Sequence, residues 1–254
     1  MAGFRLAVKT EVYMRIGIVT ALAEEMMPIY EKLGNVTAES VIHGVRISSI
    51  NVNGNALYLA TGGVGEINAA LTAQMLVDLF DVEAILNFGF VGTLRNDIKV
   101  GELVIADRVC HYQFDTSLID GTKAGQYLGK DDIYFYLDDA LVTRTLAAIG
   151  KPMRRVAVAS GDAFVAESAQ KRRLAEEFGC DICEMELAAL AIACERNEIP
   201  LLSIKAVSDK ADDSAPISFE EVVKKGMSKY EKILPAVLEA VTENNKPLPP
   251  VKKI

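Results

Sequence analysis

From Met14 to about Val241 short apolar runs alternate with segments of helical period, and this alternation restricts the fold more than any other feature of the chain. A run of four to eight apolar residues bounded by turn residues suits a strand buried on both faces, and a 3.6-residue repeat suits a helix that covers it. The order predicts a single α/β domain with a central mixed, mostly parallel β-sheet flanked by helices on both faces. With 254 residues, half of them hydrophobic, the chain has enough material for one large core. No repeat and no linker divides it. Residues 1–13 differ in character from the rest of the chain, and Met14-Arg15-Ile16-Gly17-Ile18-Val19 reads as a first strand that begins at a second methionine. The domain is therefore expected over 14–242, after an N-terminal extension, 1–13, that reads either as the product of an upstream start or as an added, non-native segment. It precedes a flexible tail, 243–254, whose Lys246-Pro247-Leu248-Pro249-Pro250 is incompatible with a helix.

Within the domain, further strands are expected at Val45–Val52, Ala56–Ala60, Ala84–Asn87, Glu102–Val109, Arg155–Ala159, Asp181–Met185 and Leu201–Val207. Asn53-Gly54 is a hairpin signal between the first two of these. Helices are expected at Ala21–Lys32, Glu66–Phe80, Asp138–Ile149, Ala166–Phe178, Leu187–Arg196 and Phe219–Val241, the last kinked or restarted at Pro235. Tyr112 to Leu137 is polar, Gly-containing and aromatic-rich, and reads as a long functional loop. Gly62-Gly63-Val64-Gly65 ends a strand and opens a helix, where glycines let the backbone approach a ligand. It lacks both the Gly-Lys-Ser/Thr ending of a phosphate loop and the full dinucleotide fingerprint.

A net charge of -8 without a basic cluster argues against nucleic acid as a partner. No apolar run reaches the ~18 residues needed to cross a bilayer, and the first residues lack a secretory pattern, so a cytoplasmic protein is expected. Cys110, Cys180, Cys183 and Cys194 lie in apolar or helical contexts that suit reduced thiols. Cys180-x-x-Cys183 has a redox spacing but enters a strand, which favours a structural role. His43 and His111 are the only histidines and neither has ligand-like spacing to a cysteine, so no metal is called for.

Three polar stretches fall where apolar runs give out: Ser160-Gly161-Asp162-Ala163-Phe164, Cys183-Glu184-Met185-Glu186 and Val207-Ser208-Asp209-Lys210-Ala211-Asp212. In α/β sheets ligands bind beyond strand ends, which makes these the places to look for chemistry. Glu25, in the first turn of a helix after a buried strand, joins Glu186 and Asp209 as a carboxylate aimed at the same edge. Three carboxylates with no metal and no histidine suit a cationic transition state. Glycosidic cleavage fits, since one acid protonates the leaving group, one base prepares the nucleophile, and a carboxylate near the ring stabilises positive charge.

Together with Glu24-Glu25-Met26, Gly63-Val64-Gly65, Asn87-x-Gly89 and Lys99-Val100-Gly101-Glu102, these stretches resemble the 5′-methylthioadenosine/S-adenosylhomocysteine nucleosidases of the purine nucleoside phosphorylase and nucleosidase superfamily. The resemblance runs in consistent order from Met14 to about Val241. It implies that Asp209, held by Ser208, is the general acid toward purine N7, and that Glu25 activates the attacking water. It implies that Glu186 binds the ribose hydroxyls with Met185 packed beside it. Phe164 would stack on the purine while the backbone of Val165 reads its edge. Leu22, Val64, Thr116 and Phe219 fall where the family places its ribose and 5′-alkylthio pocket, although each taken singly is ordinary core material. It further implies a homodimer, with the Tyr112–Leu137 segment reaching the partner's pocket, and no cofactor.

Two departures stand out. Gly89-Phe90-Val91-Gly92 replaces the usual Gly-Ser-Ala-Gly beside the ribose, so Phe90 puts a large ring, next to Gly92, where a small hydroxyl is usual. Lys205 replaces an arginine, and the two are not interchangeable where a guanidinium fork is used. Three readings are compatible with these residues. The first is hydrolysis of an adenine nucleoside bearing a 5′-thio group. The second is phosphorolysis or another purine nucleosidase specificity, inosine- and futalosine-like substrates included. The third is a nucleoside-binding sensor without turnover.

Overall fold

A computed structural model describes residues 13–212 and 219–243, with the side chains of 219–221 and 223–229 excepted. In chain order the elements are β1 (Arg15–Thr20), α1 (Ala23–Leu33), β2 (Ala38–Ile42), β3 (Val45–Val52), β4 (Asn55–Thr61), α2 (Glu66–Phe80), β5 (Ala84–Thr93), β6 (Leu103–His111), α3 (Ser117–Asp120), β7 (Tyr134–Tyr136), α4 (Asp139–Ile149), β8 (Arg154–Ser160), α5 (Ser168–Glu176), β9 (Ile182–Glu184), α6 (Leu187–Arg196), β10 (Leu201–Asp209) and α7 (Phe219–Thr242). The predicted ranges of β3, α2 and α6 coincide with the observed ones. α7 continues through Pro235 without restarting. Of the expected extension, 1–13, and the expected tail, 243–254, only Tyr13 and Glu243 are among the described residues.

Apolar alternation explains the layers. Strand β5 is buried along nearly its whole length and β10 over its first seven residues, as strands covered on both faces must be. On one side Met26 and Ile29 of α1, Leu141 and Val142 of α4, and Tyr230, Leu234 and Val237 of α7 pack with Ile16, Ile18, Leu57 and Leu86. On the other, Ala69, Ala73 and Leu76 of α2 and Leu187, Ala188 and Leu190 of α6 pack with Ile85, Val158 and Ile182.

The sheet itself corrects the expectation of a mostly parallel array. Five pairings are parallel (β1 with β4 and β5, β5 with β10, β8 with β6 and β9) and five are antiparallel (β3 with β2 and β4, β9 with β5, β6 with β7 and β10). Moreover, β10 pairs with both β6 and β5, so the path β5-β9-β8-β6-β10 closes on itself while β1-β4-β3-β2 extends as an open wing. Closure needs local bending, and register shifts at Ala106/Arg108 and Val207/Asp209 supply it. The elements that the sequence pattern does not predict are β2, an edge strand exposed at four of five positions, and the short α3 and β7 within the long loop. None carries the buried apolar run that marks the other strands.

Candidate active site

Residues at the start of α1, beside Phe90 in β5, after β4, β8 and β9, and at the end of β10 surround one cavity of about 300 Å³. Glu25 forms its deep wall. As the third residue of α1 it folds back on the helix start, and Oε2 accepts the amides of Ala21 and Leu22 at 3.0 and 2.9 Å. Oε1 accepts the Phe90 amide at 2.9 Å, tying α1 to β5. Glu25 is 4% exposed, and burial lifts its pKa above the ordinary carboxylate value against the pull of these amides and of Lys205. Two acceptor sites on Oε2 and one on Oε1 are thus taken, which leaves one on Oε1 for a ligand or water. Glu24, one residue earlier, is exposed. Gly89 makes this packing possible, because a Cβ there would stand 3.1 Å from Glu25 Oε1 and 3.3 Å from Lys205 Nζ.

Lys205, whose direction the sequence left open, points into this region. It is 1% exposed and donates to Glu184 Oε2 at 3.0 Å. Burial alone would lower its pKa, but the carboxylates of Glu184, Glu186 and Glu25 outweigh it and raise the pKa, keeping the ammonium charged. Glu184 also accepts the amides of Glu186 and Leu187. That grip orients the turn from β9 into α6, on which Met185 and Glu186 sit. Glu186 Oε1 accepts the Gly65 amide at 2.9 Å, and burial with the Glu184 charge raises its pKa to about 7.

Asp209 closes the other end. The register shift before it turns its carboxyl toward the cavity, where Oδ1 accepts the Ala211 amide at 2.7 Å and Oδ2 lies 2.8 Å from Ser208 Oγ. Ser208 Oγ is also 3.1 Å from Val91 O, so the serine anchors Asp209 to β5. Gly92 is required beside it: a Cβ would come within 2.9 Å of Asp209 Oδ1 and of Ala211 Cβ. Phe164, Val165, Met185, Leu22, Val64, Phe90 and Gly92 complete the lining with Ser208. Thr116 does not line it, and its hydroxyl donates to Asp120 at 2.8 Å on α3 instead. The side chain of Phe219 lies outside the described residues.

Cys183 also touches the cavity, but burial pushes its thiol far above the ordinary range, as it pushes Cys110 and Cys194 to about 12. Such thiols stay protonated and are poor nucleophiles. Among the described residues no group of three metal-ligating side chains assembles. The cavity is lined by four carboxyls, those of Glu25, Glu184, Glu186 and Asp209, with no lysine or arginine among its described lining residues.

The phosphorylase superfamily pattern matches residues 15–241. The chain belongs to that superfamily. Among superfamily members similar to it is the 5′-methylthioadenosine/S-adenosylhomocysteine nucleosidase of Halalkalibacterium halodurans, 31% identical over 82% of this chain and 90% of that protein. The aminodeoxyfutalosine nucleosidase of Campylobacter jejuni is 29% identical over 83% and 92%. The structure of 5′-methylthioadenosine/S-adenosylhomocysteine nucleosidase from S. pneumoniae, with the transition-state inhibitor MT-ImmA, superposes with a TM-score of 0.82 at 29% identity, over 90% of this chain and all of the other. The superfamily is the one the motifs resembled.

Two residues of the site went unread in the sequence. Glu184 was visible only as part of a motif, although a carboxylate at a strand end facing a buried lysine is the pattern that would reveal it. Glu66, which stands behind the lining, was named only as the start of a helix.

Proposed function

We propose that the chain hydrolyses the N-glycosidic bond of an adenine nucleoside with a 5′-thio substituent, 5′-methylthioadenosine or S-adenosylhomocysteine, releasing adenine and the thio-ribose. The observation that carries this reading is the convergence of Glu25, Glu186 and Asp209 on one cavity, with the Phe164 ring beside them. In this reading Asp209 delivers a proton to N7 while Ser208 holds it. Glu186 accepts hydrogen bonds from the ribose hydroxyls and favours positive charge on the ring. Glu25 draws a water with its remaining acceptor site, and its raised pKa makes it the better base. Incubation of the purified protein with 5′-methylthioadenosine in phosphate-free buffer yields adenine; no release at high enzyme concentration overturns the reading.

The relation to the aminodeoxyfutalosine enzyme adds a second substrate class to the panel. Phosphorolysis is disfavoured by the absence of a cation among the described lining residues and by Phe90, which would crowd an anion. We further infer a homodimer, supported by Ile67 and Leu71 of α2 and Leu118 and Ile119 of α3, all highly exposed. Four free, buried cysteines agree with a reducing compartment such as the cytoplasm. Among the described residues no helix is long and apolar enough to cross a membrane.

A further inference from the structure

Glu66 opens α2 directly after Gly65 and is 6% exposed, yet its carboxyl serves neither its own helix nor the cavity lining. A first-turn acid ordinarily answers the free amides of the helix that bears it. Here those amides are met from elsewhere: Glu66 N donates to Asp162 Oδ1 at 2.8 Å, and Gly65 N to Glu186 Oε1 at 2.9 Å. Glu66 crosses to the start of α6 instead. Its Oε2 accepts the Ala189 amide at 2.6 Å, and its Oε1 lies 2.5 Å from Ser160 Oγ, which itself accepts the Ala188 amide at 3.0 Å. The two helix starts therefore cap one another, with the end of β8 between them. Gly65 has φ +102, and a Cβ there would lie 2.8 Å from Asp162 Oδ1, so the approach depends on glycine.

The three segments joined this way hold Val64, then Phe164 and Val165, then Met185 and Glu186, all on the cavity. We propose that Glu66 is a positioning residue of this site, clamping the Gly63-Val64-Gly65 loop, the segment after Ser160 and the start of α6 into the one geometry that presents Phe164 and Glu186 to the same ligand. The electrostatic setting is consistent. Burial and the Glu184 charge raise the pKa of Glu66 to about 8, so near neutral pH it adds little negative charge beside Glu184 and Glu186. Asp162 faces it from the segment after β8, Tyr112 and Tyr127 from the segment after β6, and Lys205 of β10 is paired with Glu184.

The activity readout rests on the nucleosidase reading, so binding is measured beside it. Wild type, Glu66→Ala, Glu66→Gln and Ser160→Ala are compared for kcat and KM on 5′-methylthioadenosine from neutral to alkaline pH, for affinity to MT-ImmA, and for thermal melting. Glu66→Ala should lose about a hundredfold in kcat/KM and bind the inhibitor correspondingly more weakly, the effect of a misplaced ligand-binding segment. Glu66→Gln should recover most of that loss and hold its rate to higher pH than wild type, because an amide does not ionise. Ser160→Ala should fall between, at about tenfold. Wild-type kinetics and inhibitor affinity in Glu66→Ala overturn the proposal, as does a Glu66→Gln protein as impaired as the alanine variant. Should Glu66→Ala fail to fold, an unaffected Ser160→Ala overturns it equally. If the wild type binds MT-ImmA but releases no adenine, the reaction reading fails while the binding measurements still decide the role of Glu66.

Discussion

At one end of the cavity Phe164 is 69% exposed; at the other Glu25 is 4% exposed and accepts three backbone amides. The carboxylate end is organised before any ligand arrives. Lys205, Glu184 and the amides of Leu187 and Gly65 fix the directions of the charged groups, so no reorganisation is left for the moment of reaction. The base end keeps an apolar ring in water that a flat ligand would cover. On the proposed reading binding energy is to be gained at the Phe164 end and rate at the carboxylate end, with Asp209 the exception: it belongs with the base yet is held in place by Ser208 Oγ and the Ala211 amide.

The sharpest way to break this division is Asp209→Asn. The amide keeps the shape and loses the proton, so kcat should fall by about 10² to 10⁴-fold with inhibitor affinity retained. Single-turnover adenine release and equilibrium binding measure the two separately. A proportional loss of both would make Asp209 a binding residue and dissolve its distinction from Phe164.

Glu25→Gln should lower kcat by about a hundredfold or more, since an amide nitrogen neither takes a proton from water nor accepts the amides that hold the carboxylate. Glu24→Gln is its neighbour and control. Exposed and one residue away, it should change neither kcat nor stability beyond about 0.5 kcal/mol. Equal losses in the two variants would mean that the helix start, and not the buried carboxylate, matters.

This pair also shows what was legible in the sequence. Glu25 was readable because a first-turn acid following a buried strand is aimed at the sheet edge by the helix period, and the same local logic located Asp209 and Glu186 after their apolar runs. Closure of β5-β9-β8-β6-β10 was not readable, since it depends on β10 pairing on both edges and on shifts at Ala106/Arg108 and Val207/Asp209 that leave no local pattern. Lys205 could be flagged as a departure, but its direction is decided by Glu184, twenty-one positions away. Glu66 was hidden for the same reason: its partners Ser160 and Ala189 come from other segments, and only packing brings them to a residue that reads as a helix start.

Phe164→Ala tests the base end. Loss of stacking on the purine should cost about 1–3 kcal/mol in affinity, seen in KM and in inhibitor binding, with kcat changed far less. Because the ring is mostly in water without ligand, the melting temperature of the free protein should stay within about 1 °C. A large drop in melting temperature would show that the ring is structural.

The smallest effect concerns the carboxylate end alone and appears in the free protein's stability. Glu186 and Glu66 titrate at about 7 and about 8 in the folded chain against 4.5 for an unperturbed glutamate. The folded state therefore binds protons that the unfolded state releases, and the stability this contributes is complete below pH 4.5 and is lost as pH rises through 7 and 8. Lys205, shifted upward, adds no slope in this window because it is charged in both states. The melting temperature should fall by a few degrees between mildly acidic pH and pH 8, given that about 1 kcal/mol moves it by about 2–4 °C in a domain of this size. Glu66→Gln should remove the upper part of the slope and leave the part that belongs to Glu186 and to Glu25, whose pKa burial also raises. Phe164 carries no ionisable group, so Phe164→Ala should keep the full slope. A melting temperature that rises with pH, or a slope unchanged in Glu66→Gln, would mean that the buried carboxyls are ionised in the free site and that the charge of Lys205 alone balances them.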